Sequence, residues 1–174
     1  MIRFLSFLLF LLCCHSPMGM AQGKKDMKDY WIDKYLSVSF PLESIRINST
    51  FGSRVDPFTG KHKQHKGLDL RARYEEVLSM FDGYVKGVGY DSGSGKYITM
   101  QYGDYTVSYC HLSEIWVSDN QKVCAGDPIG ISGTTGRSTG PHLHITCRLR
   151  GSLEDPYDLL LYIKAVSYTH LTLP

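Results

Sequence analysis

Residues 138–146, Ser-Thr-Gly-Pro-His-Leu-His-Ile-Thr, constrain the fold more than any other stretch of this chain. In an extended segment, residues two apart point to the same side with Cα atoms about 6.5–7 Å apart, so His142 and His144 share one face. Leu143 and Ile145 face the other way, into packing, which is the alternation of a half-buried strand and not the period of a helix. Pro141 stands at the strand entrance, where its missing N–H is tolerated. The segment therefore needs a sheet with one apolar and one polar face, and it puts two imidazoles on the polar one.

A second pair lies upstream. His65 and Asp69, in His-Lys-Gly-Leu-Asp-Leu (65–70), are four apart. This even offset puts both on one face of a strand, and Gly67 between them argues against the helix that the same spacing would fit. Imidazole nitrogens with one carboxylate oxygen, and a fourth position left for water, form the ligand set of a catalytic zinc site. Residues 105–111 alternate as well. They predict a strand with Tyr105, Val107, Tyr109 and His111 on one face and Thr106, Ser108 and Cys110 on the other.

With 17 glycines and 12 tyrosines in 174 residues and few long helical patterns, the chain leans towards strands and turns, and its length suits one domain. A formal net charge of +2 is too small to predict a nucleic-acid partner. Further strands are expected over 45–51, 77–80, 83–89, 96–102 and 129–131, with Asp82-Gly83 as a hairpin dipeptide joining the second and third of these. Residues 55–60 read as a turn built on Pro57 and Gly60. The basic run 61–66 reads as a solvated loop, His65 excepted. The glycine-rich stretch 130–140 lacks the Gly-x4-Gly-Lys-[Ser/Thr] order and opens no helix, so it is expected to be a flexible rim beside a site and not a phosphate cradle.

Residues 1–21 read as an export signal, with Arg3 as the positive charge, an apolar run over 4–12 and Gly19-Met20-Ala21 at the cleavage positions. That run is too short to span a bilayer. The mature chain would begin at Gln22, in the periplasm or cell envelope and without a stable membrane span. Leu12 before Cys13 is a poor match to a lipoprotein cleavage site, which disfavours a lipid anchor. Residues 22–40 form a lead-in with a short helix over 26–36, capped by Asp26 and carrying Met27, Tyr30, Trp31 and Tyr35 on an aromatic face. The main domain covers 41–164 and closes on a short apolar segment at 158–163. Residues 165–174 show no patterned role, resemble translated adaptor sequence, and are set aside as a non-native or disordered tail. Cys110, Cys124 and Cys147 remain after the signal; one pair could bridge, or all could be small buried hydrophobes.

Four motifs stand in order: Phe-Gly-Ser-Arg-x-Asp-Pro-x-Thr-Gly (51–60), His-Lys-Gly-Leu-Asp (65–69), Tyr-Cys-His-Leu (109–112) and Gly-Arg-Ser-Thr-Gly-Pro-His-Leu-His (136–144). Together they resemble the lysostaphin-type, or LytM-like, zinc endopeptidases that cut peptidoglycan peptides, over roughly residues 44–156. The resemblance implies a mainly β, compact antiparallel sheet or sandwich domain of the duplicated-hybrid-motif kind. It also implies one Zn2+ per chain, held by His65, Asp69 and His144, with His111 and His142 as catalytic histidines. Cys110 departs from the alanine common at its position, and Asp56 from another polar residue; neither removes a ligand.

The function so implied is that of an exported zinc metalloendopeptidase hydrolysing peptidoglycan stem peptides or cross-links through a zinc-activated water. No His-Glu-x-x-His motif supplies a glutamate base, so the two spare histidines fill that need. Their division of labour stays open in the sequence; the adjacency of His142 to His144 favours His142 as general base and His111 as oxyanion stabiliser. The alternative is an inactive relative that binds peptidoglycan or activates another hydrolase, although such relatives usually lose ligand residues and this chain keeps all five positions.

Overall fold

A computed structural model describes residues 37–172. The export signal expected at 1–21 and the helix expected at 26–36 lie outside those residues. The described chain runs β1 (Ile47–Ser49), β2 (Gly52–Val55), β3 (His62–His65), β4 (Leu68–Arg71), β5 (Glu76–Leu78), β6 (Gly83–Asp91), β7 (Gly95–Tyr102), β8 (Tyr105–Leu112), β9 (Glu114–Ile115), β10 (Lys122–Val123), β11 (Pro128–Ile131), β12 (His142–Leu149), β13 (Ser152–Glu154) and one helix, α1 (Tyr157–Thr172). All pairings are antiparallel. The main sheet has the order β1-β4-β12-β8-β7-β6-β10, with β13 paired to β12; β5-β11-β9 and β2-β3 form two smaller sheets. The mainly β, antiparallel architecture expected from the motifs is the one found.

The long strands are where the alternation is strict. In β12 Leu143, Ile145 and Cys147 are buried while His142, His144 and Thr146 are half-buried on the opposite face. Leu68 and Leu70 of β4, Ile98 and Met100 of β7, and Val107 and Tyr109 of β8 join the same core, with Val77 and Ile129 from the second sheet and Leu159, Leu160 and Ile163 from α1. Burying a Leu or Ile side chain in this way contributes about 1.5–3 kcal/mol each. The buried phenol of Tyr109 is satisfied by Tyr102 Oη at 2.9 Å, which in turn meets Ser79 Oγ at 2.8 Å.

Several expectations need correction. Residues 61–66 are not a loop, since His62–His65 is a strand that pairs with Gly52–Val55. The hairpin is set by its turn, where Asp56 Oδ1 accepts the backbone N–H groups of Phe58 and Thr59 at 2.8 and 3.0 Å, an Asx turn that needs no apolar pattern. Asp82-Gly83 does not close a hairpin. β5 pairs with β11 and β6 with β7, and Asp82 instead accepts from Ser37 Oγ and the Ala125 N–H, both at 2.8 Å. The helix α1 continues through residues 165–172, where no patterned element was expected. Leu159, Leu160, Ile163 and Val166, spaced as one helical face, are buried and account for its persistence. Among the described residues no helix is long and apolar enough to cross a membrane.

Cys110 and Cys147 are buried thiols on opposite faces of the sheet, the first in the groove described below and the second in the core, so the fold keeps them apart. Burial pushes them up to about 12 and about 11 respectively, which makes both poor nucleophiles.

A candidate metal centre

The polar face of the main sheet floors a groove of about 580 Å³. His65, Asp69, His111, His142 and His144 all line it. The strand pairing explains the convergence. His144 of β12 lies opposite Asp69 of β4 on one side and Cys110 of β8 on the other. His65 ends β3 and reaches the same place from the neighbouring hairpin. His65 and Asp69 are thus not on one strand, as their spacing suggested: β3 ends at His65, β4 begins at Leu68, and Lys66-Gly67 turns the chain between them. Gly67 is required at that turn, because a Cβ there would stand 2.7 Å from two ring atoms of His144.

His111 also departs from its expected face. Strict alternation would put it in the core with Val107 and Tyr109. Instead β7 pairs Lys96 with Leu112 but Ile98 with Tyr109, so β8 carries one extra residue here, a β-bulge. His111 adopts φ +62° within it. The bulge returns Leu112 to the core and turns His111 out into the groove beside Cys110 and Ser108.

At the centre, Asp69 Oδ1 lies 2.6 Å from His144 Nδ1 and 3.2 Å from His65 Nε2, and the two ring nitrogens are 3.2 Å apart. His65 donates its Nδ1–H to the Thr50 carbonyl at 2.7 Å, which assigns the tautomer and leaves Nε2 as a bare lone pair. A lone pair facing a carboxylate oxygen at 3.2 Å is favourable only with a proton or a cation between them. The carboxylate offsets part of a dication's charge and the two imidazoles supply neutral nitrogen donors, so this trio fits a divalent metal. A second trio of possible donors, His111, His142 and His144, shares His144 but brings no negative charge.

Burial opposes ionisation of Asp69, yet its close pairing with the His144 and His65 rings outweighs it and holds the carboxyl far below the usual carboxylate range. Its other oxygen, Oδ2, accepts from Arg54 Nη1 at 3.1 Å, and the same nitrogen donates to Ser49 Oγ at 2.7 Å. Sequence reasoning gave Arg54 no role, although it falls inside the first motif. His111 donates Nδ1–H to the Thr135 carbonyl at 2.8 Å, and His142 donates Nδ1–H to the Gly140 carbonyl at 2.8 Å. Both rings thereby turn Nε2 into the groove, and their centroids are 4.7 Å apart. Burial brings His111 down to about 4, so its ring is neutral at ordinary pH.

The groove rim is tied across its width. Arg137 Nη2 meets both oxygens of Asp56 at 3.1 Å, and its guanidinium lies 4.4 Å from the centre of the Phe58 ring. The glycine-rich stretch is therefore anchored to the β2–β3 turn at this point.

Comparison with known proteins follows the same lines. The chain is 40% identical over 116 residues to the peptidoglycan DD-endopeptidase ShyA of Vibrio cholerae, an alignment that takes in 64% of this chain and 27% of that protein. It spans about a third or less of the length of the curated relatives it matches. Among solved structures, a zinc-containing peptidase from Vibrio cholerae superposes with a TM-score of 0.62 at 34% identity, covering 67% of this chain and 37% of that one. The catalytic domain of the antimicrobial peptidase lysostaphin from Staphylococcus simulans gives 0.62 at 26% identity, covering 76% and 96%. Residues 63–156, which carry the four histidines and the aspartate just described, match the model of peptidase family M23, and the chain belongs to that family.

Proposed function

We propose that this protein is an exported zinc metalloendopeptidase that hydrolyses peptide bonds in peptidoglycan stem peptides or cross-links. The observation that carries the reading is the meeting of His65, Asp69, His111, His142 and His144 in one open groove, with three rings held by backbone carbonyls so that their free nitrogens face a common space. The name of one relative, a peptidoglycan DD-endopeptidase, supplies the substrate class.

His65, Asp69 and His144 would hold the metal. When bound, zinc supplies Lewis acidity towards the scissile carbonyl and lowers the pKa of water to about 7. The remaining work falls to the chain. The structure favours exchanging the roles expected of the two catalytic histidines. His111 is kept neutral by burial, and its Nδ1–H is committed to Thr135, so Nε2 is an acceptor suited to taking a proton from the attacking water. His142 Nε2 faces the site 3.6 Å from Asp69 Oδ1, and with Nδ1–H on the Gly140 carbonyl it is as an imidazolium that the ring would donate an Nε2–H to the developing oxyanion. The groove would take the peptide along its sheet floor, with the Arg137–Asp56 tie holding one rim beside it.

Purified walls digested with the zinc-loaded protein should yield fragments with new amine and carboxyl ends by mass spectrometry. His111→Ala and His142→Ala should retain stoichiometric zinc and lose turnover by about 10²–10⁴-fold, whereas His65→Ala, Asp69→Ala and His144→Ala should lose the metal. Release of fragments by a zinc-depleted Asp69→Ala protein at the wild-type rate would overturn the reading.

A further inference from the structure

We infer that Arg148 forms an anion subsite at the far end of the groove, reading a free carboxylate on the substrate peptide; the inference rests on the peptidase reading. Arg148 lies on the same face of β12 as His144 and Thr146 and lines the same groove. Four residues of strand separate it from His144, a distance of about 13 Å. The floor between them is a grid of hydroxyls. Thr146 pairs with Ser108 on β8, and Ser108 pairs with Thr99 on β7, where the two side chains meet at 2.9 Å. Such a floor can follow a peptide backbone without selecting apolar side chains, so selectivity falls to the charged group at its end.

The charges of the groove are unbalanced towards the cationic. Five Lys or Arg side chains line it against three Asp. Arg54 is engaged by Asp69, and Arg137 and Lys63 by Asp56. Arg148 forms no ion pair among the described residues. Its Nη1 donates to the Gly151 carbonyl at 3.1 Å, which fixes the guanidinium at the β12–β13 turn and leaves its other donors for a ligand. A planar fork held in this way matches a carboxylate by two parallel hydrogen bonds. An extended peptide rises about 3.3 Å per residue, so the carboxylate read by Arg148 lies about four residues from the scissile bond.

The test uses native walls and walls whose carboxylates have been converted to carboxamides with carbodiimide and ammonia. Wild type should cut the amidated walls about tenfold more slowly, chiefly through KM. Arg148→Met should cut native walls about tenfold more slowly than wild type and show no further loss on amidated ones; Arg148→Lys should keep part of the discrimination. The ratio between the two walls is read within each protein, so it stands even if a variant is less stable. Equal ratios for wild type and Arg148→Met, or a wild type indifferent to amidation, would overturn the subsite while leaving the peptidase reading intact. Failure of wild type to release fragments from either wall would remove both.

Discussion

Gly67→Ala tests the geometry of the centre without touching a ligand. The residue joins β3 to β4 and does not occupy the left-handed region, so alanine meets no backbone penalty and the whole effect is one of contact. Its Cβ would stand 2.7 Å from Cε1 and Nε2 of His144, where ordinary contact begins at 3.4 Å, and it would overlap the Ile145 carbonyl more severely. That carbonyl belongs to β12, which is laddered to β4 and β8 on its two sides, so it has nowhere to withdraw. Either the β3–β4 link moves and carries His65 with it, or the His144 ring swings. Overpacking of this kind costs about 1–3 kcal/mol, which lowers Tm by about 2–4 °C per kcal/mol in a chain of this size. Displacing a ligating ring should weaken metal binding by about 10–100-fold, the range seen when a ligand loses its orienting partner. Zinc affinity is measured by competition with a chelator, and Tm on metal-free protein. Gly87→Ala, whose Cβ meets nothing within 4 Å, serves as the comparison. Wild-type values of both quantities in Gly67→Ala would refute the steric argument.

Two further predictions concern groups that orient the centre. Arg54→Met removes the donor to Asp69 Oδ2 while keeping an unbranched stem, and should weaken zinc binding by about 10–100-fold with little change in the metal-free Tm; unchanged affinity would refute its role. In metal-free protein, proton NMR should find His111 titrating near 4, against about 6.5 in an unfolded chain. Because the unfolded chain takes up that proton first as pH falls, the contribution of this group to stability is complete above about pH 6.5 and is lost progressively towards about pH 4. A midpoint at 6.5 or higher would contradict the burial argument.

How much of this was legible in the sequence differs from element to element. The β12 strand was readable because its apolar positions alternate without a break, and the same pattern fixed which face carries His142 and His144. The meeting of His65, Asp69 and His144 was readable only through motif order, since their contacts join residues up to 79 apart. The β2–β3 hairpin was hidden because it is stabilised by an Asx turn and by backbone pairing, and charged residues such as Lys61 and Lys63 leave no apolar signature. Helix α1 was cut short because only the buried face of its second half argues for continuation. Arg54 carried no periodic signal at all; its role appears when β2 is seen beside β3, and β1 beside β4. The proposed choice of His111 as base in place of His142 rests on burial, which is tertiary and which sequence adjacency does not carry.

The bulge at His111 is the feature that sequence periodicity misreads most directly, and it makes a prediction of its own. A side chain two residues beyond Tyr109 belongs in the core unless the strand gains a residue, and the strand gains it by placing a non-glycine in the left-handed region at φ +62°. Such a conformation costs about 1–2 kcal/mol for an ordinary L-residue and almost nothing for glycine. In a regular strand the order is opposite, with glycine less stable than alanine by about 0.5–1 kcal/mol. His111→Ala and His111→Gly both delete the imidazole and its bond to Thr135, so the difference between them isolates the backbone. In metal-free protein His111→Gly should therefore be the more stable of the two by about 1 kcal/mol, a Tm higher by about 2–4 °C. Alanine equal to or more stable than glycine would mean that residue 111 is not held in the left-handed region. The bulge could then no longer explain why this imidazole faces the groove and not the core.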